Sequence, residues 1–156
     1  YWNEVVGYNY RMTNLQAAVG VAQLERAEHI VSEKIRIANK YTEELVNESY
    51  LTLPNTPSNV RNSFWFYTVC LGQEVKNARD LIIQGMEDSG VETRPTFIPL
   101  HRMPPYRDYV QDHQKFPVAD FVGDAGISLP SGVRMTDKDV TSVARTLIDQ
   151  IALYSG

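Results

Sequence analysis

The sequence predicts an α+β domain, a small and mainly antiparallel sheet covered by helices. Three observations carry this. Two helical patterns lead the chain one after the other, and the segments behind them alternate in short helix and strand steps. The strand-like runs are too few for a doubly wound parallel sheet. The closing segment carries one continuous apolar face, as a helix laid on a sheet must.

Each element has a local reason. Thr13 is an N-cap, and Leu15, Ala18, Val19 and Ala22 follow at helical spacing. The pattern pauses near Ala27 and resumes through Ile30, Ile35, Ala38, Tyr41 and Leu45. Two helices end to end, or one kinked helix, therefore run to about Asn47. The two prolines of "LPNTPSN" make a loop. "SFWFYTVCL" is aromatic and β-branched and reads as a buried strand over Trp65–Leu71. "EVKNARDLIIQGMEDSG" is a short helix stopped by Gly90. Val91–Arg94 is a second strand ended by Pro95. "RPTFIPLHRMPPY" has no regular period and reads as a surface loop. "FPVADFVGDAG" is a helix with Pro117 in its first turn, and Gly126–Leu129 is a third strand. Thr136 and Asp139 resemble a capping box, with Val140, Val143, Ala144, Leu147, Ile148 and Ile151 on one face behind them. The paired leading helices and the last helix are expected to cover the sheet.

Composition excludes several function classes. With 156 residues, 43% of them hydrophobic and 22% charged, the chain suits one soluble domain with a real core. A net charge of -4 without a basic block argues against nucleic acid or an anionic membrane as partner. The single cysteine, Cys70, excludes an internal disulfide, sits in an apolar run as an inert thiol, and fits a reducing compartment. No stretch reads as a membrane span or signal peptide, so a cytoplasmic protein is expected. Neither a G-x-x-x-x-G-K nor a G-x-G-x-x-G phosphate loop occurs, and there is no G-x-S-x-G elbow. His29, His101 and His113 are far apart, which makes a metal site improbable. The acids Glu25, Glu28, Glu33, Glu43 and Glu44 read as a solvated face.

Two polar segments remain. "GYNYRMTNLQAAVGVAQLER" (Gly7 to Arg26) resembles a signature of the fold-type I, pyridoxal-phosphate-dependent sugar-nucleotide aminotransferases of the DegT/DnrJ/StrS type. Later landmarks agree in order: "ETRPTFIPLH", "PPY", "FPVAD" and "ISLPS", then a final helix. The similarity runs from Tyr1 to Tyr154, and the opening stretch is most similar to the GDP-perosamine synthase branch, which transaminates a 4-keto-6-deoxy sugar on a nucleotide.

The resemblance implies that residues 1–156 are the C-terminal small domain of such an enzyme. The large domain with the cofactor lysine would lie upstream. None of Lys34, Lys40, Lys76, Lys115 and Lys138 sits in a Ser-x-x-x-Lys setting, so no catalytic residue is assigned and this chain alone is expected to be inactive. The implied cofactor is pyridoxal 5'-phosphate and the implied substrates are a nucleotide sugar and glutamate. A homodimer, its cofactor site shared between subunits, and a role in surface polysaccharide biosynthesis are implied too. Alternatives are a non-catalytic binding or assembly module, a 3-amino-sugar aminotransferase, and a dehydratase variant.

The resemblance also implies site residues. By residue type, Asn9 bonds backbone ahead of the helix and Arg11 pairs with a surface acid. By resemblance, Asn9 reaches the neighbouring subunit's cofactor phosphate, an uncharged donor suited to its oxygens, and Arg11 serves the same region with a planar fork. Arg94 is implied at the substrate pyrophosphate, His101 at sugar or phosphate, and Phe97 and Tyr106 against base or sugar. The competing readings are an Arg94–Glu92 ion pair, a loop-fixing His101 and simple packing of the two rings. Thr96 stands where relatives often carry an aromatic, a departure that touches the sugar contact.

Overall fold

The computed structural model describes residues 2–111 and 113–155, so both ends of the expected 1–156 domain lie just outside it. Helix α1 spans Asn14–Leu24 and α2 spans Ala27–Leu45. They are separate helices, because Arg26 takes φ -108° and ψ 6° and breaks the ladder between them. Strand β1 (Leu51–Thr52) is followed by β2 (Tyr67–Leu71), α3 (Arg79–Asp88) and β3 (Arg94–Pro95). Two 3-10 turns, Leu100–Arg102 and Pro104–Tyr109, lead to α4 (Pro117–Ala125), β4 (Gly126–Leu129) and α5 (Asp137–Ala152).

The sheet has the order β1-β2-β4-β3, and every neighbouring pair is antiparallel. Tyr67 pairs with Leu129 and Val69 with Ile127. Tyr67, Val69 and Leu71 alternate onto one face and are wholly buried there. Against that face lie Ile37, Ala38, Tyr41 and Leu45 of α2, Ile82 and Met86 of α3, and Val140, Val143, Ala144, Leu147 and Ile151 of α5. Each such Leu or Ile contributes about 1.5–3 kcal/mol through burial. Tyr41 is drawn in with its polar end satisfied: its hydroxyl donates to Pro130 O at 2.8 Å, and its ring stacks on Tyr67 at 5.0 Å. Burial pushes the Tyr41 phenol well above its ordinary pKa. Gly90 stops α3 as expected, at φ +81°, where a side chain would be strained.

The α+β expectation holds, with three corrections. First, α1 does not help to cover the sheet: none of its residues is buried, and Leu15 and Leu24 are each 76% exposed. Its cap makes it a helix, but every one of its residues is exposed among the described residues. Second, the strand expected at Val91–Arg94 is displaced to Arg94–Pro95, which pairs with Ser128 and Ile127. Pro95 is the last residue of this strand, as expected, and it is tolerated inside the ladder because β3 is an edge and needs no donor on its open side. Third, the strand expected from Trp65 starts at Tyr67, and a two-residue strand, β1, joins the sheet against Leu71 and Cys70.

Candidate functional site

The first polar segment is exposed from Trp2 through Glu25. Asn9 and Arg11 sit together just before α1, where they line a shallow concavity of about 290 Å³ with Tyr10, Met12 and Gln16. The helix behind them is fixed locally. Thr13 Oγ1 accepts from Gln16 N at 3.3 Å, and Gln16 Oε1 accepts from Thr13 N at 2.8 Å. This capping box holds the end of the Asn9–Met12 stretch without help from the rest of the domain. The concavity offers amide and guanidinium donors, and no carboxylate lines it.

The second segment splits between two places. Arg94 lines a groove of about 550 Å³ together with Lys34, Trp65, Phe66, Glu92 and Ser131. Its guanidinium donates to Glu92 at 2.6 Å, the ion pair its residue type suggested. Phe97 stacks on Trp65 with ring centroids 6.1 Å apart and meets Phe66 edge-on at 6.3 Å. It is a half-exposed ring and not core. Lys34 reaches over from α2 and donates to Trp65 O and to Ser131 Oγ, both at 3.0 Å. Desolvation lowers its ammonium pKa below the ordinary lysine value.

His101 lies elsewhere, on the α4 side. Its Nε2 is 2.8 Å from Asp120 Oδ1, and its ring stacks on Phe116 at 4.7 Å. Arg102 donates through Nε to the same Asp120 oxygen at 2.5 Å and through its two terminal nitrogens to Asp124 at 2.5 and 3.0 Å. The Arg102 hydrogen bonds hold the Asp124 carboxyl below its ordinary pKa. For Asp120, bonds to His101 and Arg102 outweigh a desolvation that acts the other way, and its pKa is lowered too. This cluster pins the first 3-10 turn to α4. Tyr106 is half-buried in the second turn, with its backbone N–H on Met103 O at 3.0 Å.

Arg94 and Phe97 are thus brought to one place, Asn9 and Arg11 to another, and His101 to a third. Trp65, Phe66 and Lys34 are the groove residues that the sequence reading passed over. What sets Trp65 apart is the backbone ahead of it, not a sequence pattern. Asn62 Oδ1 accepts from Phe64 N at 2.9 Å, and Phe64 sits at φ 45°, a left-handed backbone rare for a bulky residue. The "NSFW" stretch is therefore a kinked turn and not the start of a strand, and it leaves Trp65 67% exposed. Held strain of this kind gathers at functional sites.

Among the described residues no group of three or more His, Cys, Asp or Glu could hold a metal ion, and no helix is long and apolar enough to cross a membrane. Burial raises the Cys70 thiol pKa, consistent with an inert thiol.

Known proteins resemble this chain closely in both sequence and fold. It is 39% identical over 152 residues to a GDP-perosamine synthase of Caulobacter vibrioides, covering 97% of this chain and 40% of that one. A GDP-perosamine synthase of Vibrio cholerae is 35% identical over 147 residues, covering 94% of this chain and 40% of that one. The chain therefore spans about 40% of the length of these curated relatives. Helicobacter pylori PseC, an aminotransferase involved in the biosynthesis of pseudoaminic acid, shares the fold with a TM-score of 0.82 at 19% identity, over 97% of this chain and 40% of that one. Streptococcus pneumoniae Spr1654 in its PLP form gives a TM-score of 0.81 at 21% identity, over 92% of this chain and 37% of that one. The model of the DegT/DnrJ/EryC1/StrS aminotransferase family matches residues 1–148, and the chain belongs to that family.

Proposed function

We propose that this chain is the C-terminal domain of a pyridoxal-phosphate-dependent aminotransferase. Its substrate would be a nucleotide-linked 4-keto-6-deoxy sugar, converted to the 4-amino sugar for surface polysaccharide with glutamate as amino donor. The observation that carries the reading is the identity to GDP-perosamine synthases across nearly the whole chain.

The residues present suit one end of the cofactor. The concavity before α1 gathers uncharged and cationic donors with no carboxylate, as a phosphate group requires. No lysine lines it, and two of the described lysines are engaged elsewhere: Lys34 on Trp65 O and Ser131, Lys40 on Glu43 and Glu44. The covalent lysine would come from the part of the relatives that this chain does not span. When bound, pyridoxal phosphate supplies the electron sink through which an amino group passes between donor and acceptor. Asn9 and Arg11 would anchor its phosphate across a dimer interface. Arg94 would share its fork between Glu92 and the substrate diphosphate. His101, oriented by Asp120 and backed by Phe116, would present its ring to the sugar.

The test is an amino-transfer assay on the enzyme made from the complete reading frame, with glutamate and GDP-, dTDP- or UDP-linked 4-keto-6-deoxy sugars. The expected result is glutamate-dependent 4-amino sugar with the GDP-linked substrate. Asn9→Ala should weaken retention of the cofactor by about 1.5–3 kcal/mol, the worth of one hydrogen bond to a charged group. Product aminated at C3, a deoxygenated product, or no turnover at all would replace the reading with the corresponding alternative.

A further inference from the structure

The rings beside Arg94 are only partly drawn into the fold: Trp65 and Phe97 are exposed, and Phe66 is half-buried. Trp65, Phe66 and Phe97 form a mutual cluster, with Trp65 and Phe66 centroids 4.4 Å apart and Phe97 at 6.1 and 6.3 Å from the two. Yet Trp65 keeps 67% and Phe97 51% of their surface in solvent. An indole supported by two phenyl rings is a rigid, flat apolar surface, the form that stacks on a planar heteroaromatic ring. Trp65 lines the groove that Lys34 and Arg94 also line. The Lys34 ammonium uses two of its donors on Trp65 O and Ser131 Oγ, which leaves one for a ligand. At about 550 Å³ the groove has the size of a small-molecule site. Flat ring, cationic donors and volume together match a nucleoside diphosphate.

We propose that Trp65, backed by Phe66 and Phe97, is the nucleobase platform of this domain, with the attached diphosphate lying toward Lys34 and Arg94. This rests on the nucleotide-sugar reading above and adds to it the groove and the residue that hold the base. The kinked turn at Phe64 is the device that holds Trp65 outward. Glu92, on the same groove wall, limits how many negative charges the site accepts, so the platform and not bulk charge would supply most of the selectivity.

The experiment is calorimetric binding of GDP, dTDP, UDP and pyrophosphate to the enzyme from the complete reading frame. Wild-type protein should bind at least one nucleoside diphosphate more tightly than pyrophosphate. Trp65→Ala should weaken that nucleotide by about 5- to 150-fold, the range that one base–aromatic stack supports, and change pyrophosphate by less than about threefold. Trp65→Phe should recover most of the affinity. Phe97→Ala, checked by circular dichroism, should fall between the two and serves if Trp65→Ala does not fold. Unchanged nucleotide affinity in both alanine variants, equal loss of nucleotide and pyrophosphate, or no nucleotide preference in the wild type would each overturn the platform. Its failure is separable from that of the enzyme reading. Amino transfer with unaltered nucleotide affinity in Trp65→Ala sinks the platform alone. Nucleotide affinity lost in Trp65→Ala without amino transfer by the wild type sinks the enzyme reading alone.

Discussion

Helices α1 and α5 start alike and end in different circumstances. Both open on a threonine cap with a reciprocal bond from the third helical residue, Thr13 with Gln16 and Thr136 with Asp139. Yet α5 buries Val140, Val143, Ala144, Leu147 and Ile151, and α1 buries nothing. A cap decides where a helix begins; only a partner surface decides whether it adds to the stability of the domain. In α1 the apolar residues are spread as Leu15, Val19, Val21 and Leu24 in solvent, inside the Gly7–Arg26 stretch whose resemblance to the family is the most specific. The most legible stretch of the sequence is thus the one least embedded in the fold.

Deleting side-chain volume from each helix gives the largest contrast. Leu147 is fully buried among α2, α3 and the sheet, and Leu147→Ala should cost about 2–5 kcal/mol in urea unfolding. Leu15 is 76% exposed, and Leu15→Ala should shift stability by no more than about 0.5 kcal/mol. Comparable losses in the two variants would mean that α1 is packed in solution, on a second copy or on another part of the protein.

The same split explains which features the sequence made readable. Elements with a local cause were legible: the Thr13 and Thr136 caps, Gly90 at positive φ, Pro117 in the first turn of α4. Elements that exist only through a partner were not. Leu51–Thr52 is a strand solely because Leu71 and Cys70 lie beside it, and two residues cannot show an alternation. Arg94–Pro95 is a strand because Ser128 and Ile127 are there to pair with it. The site follows the same rule. The Arg94–Glu92 pair is two residues apart and could be weighed in advance, whereas His101 and Asp120 are nineteen apart and meet only once α4 folds back. Trp65 was read as buried because aromatic runs usually are. Its exposure follows from the backbone of Phe64, which no propensity of phenylalanine announces.

Glycine replacements should sharpen the contrast at a smaller scale and with opposite signs. A Cβ at Gly126 would lie 2.4 Å from both Cγ2 and Oγ1 of Thr96 and 2.7 Å from Val122 O. Thr96 cannot easily give way, since its hydroxyl donates to Val122 O at 2.7 Å. Gly126→Ala should therefore destabilise by about 1–3 kcal/mol, with β4 displaced from α4. At Gly20, inside α1, a Cβ meets nothing within 4 Å. Gly20→Ala should strengthen α1 locally by about 0.5–1 kcal/mol, visible as added helical circular dichroism without a change in the urea midpoint. A midpoint that rises with Gly20→Ala would show α1 unfolding together with the domain.

The smallest expected effect separates the two caps by pH. In α1 the third residue is Gln16, which does not titrate between pH 2 and 7. In α5 it is Asp139, whose carboxylate accepts from Thr136 N and from Thr136 Oγ1, both at 2.8 Å. Those two bonds, the backbone one first, hold the Asp139 carboxyl below its ordinary pKa in the folded chain. A carboxylate whose pKa is depressed by folding adds stability that is fully present above its unfolded value, about 3.9. That contribution fades as pH falls through the lower, folded value, because the protonated acid accepts the two bonds less well. Amide exchange at the start of α5 should therefore speed up below about pH 4, beyond the intrinsic pH trend, relative to the first turn of α1. Asp139→Asn keeps an acceptor oxygen but removes the titration, so in that variant the two helix starts should follow the same pH trend. If the wild-type and Asp139→Asn proteins show the same acid dependence at α5, another carboxylate governs it, and Asp137, in the same first turn and paired with Arg36, is the next to replace.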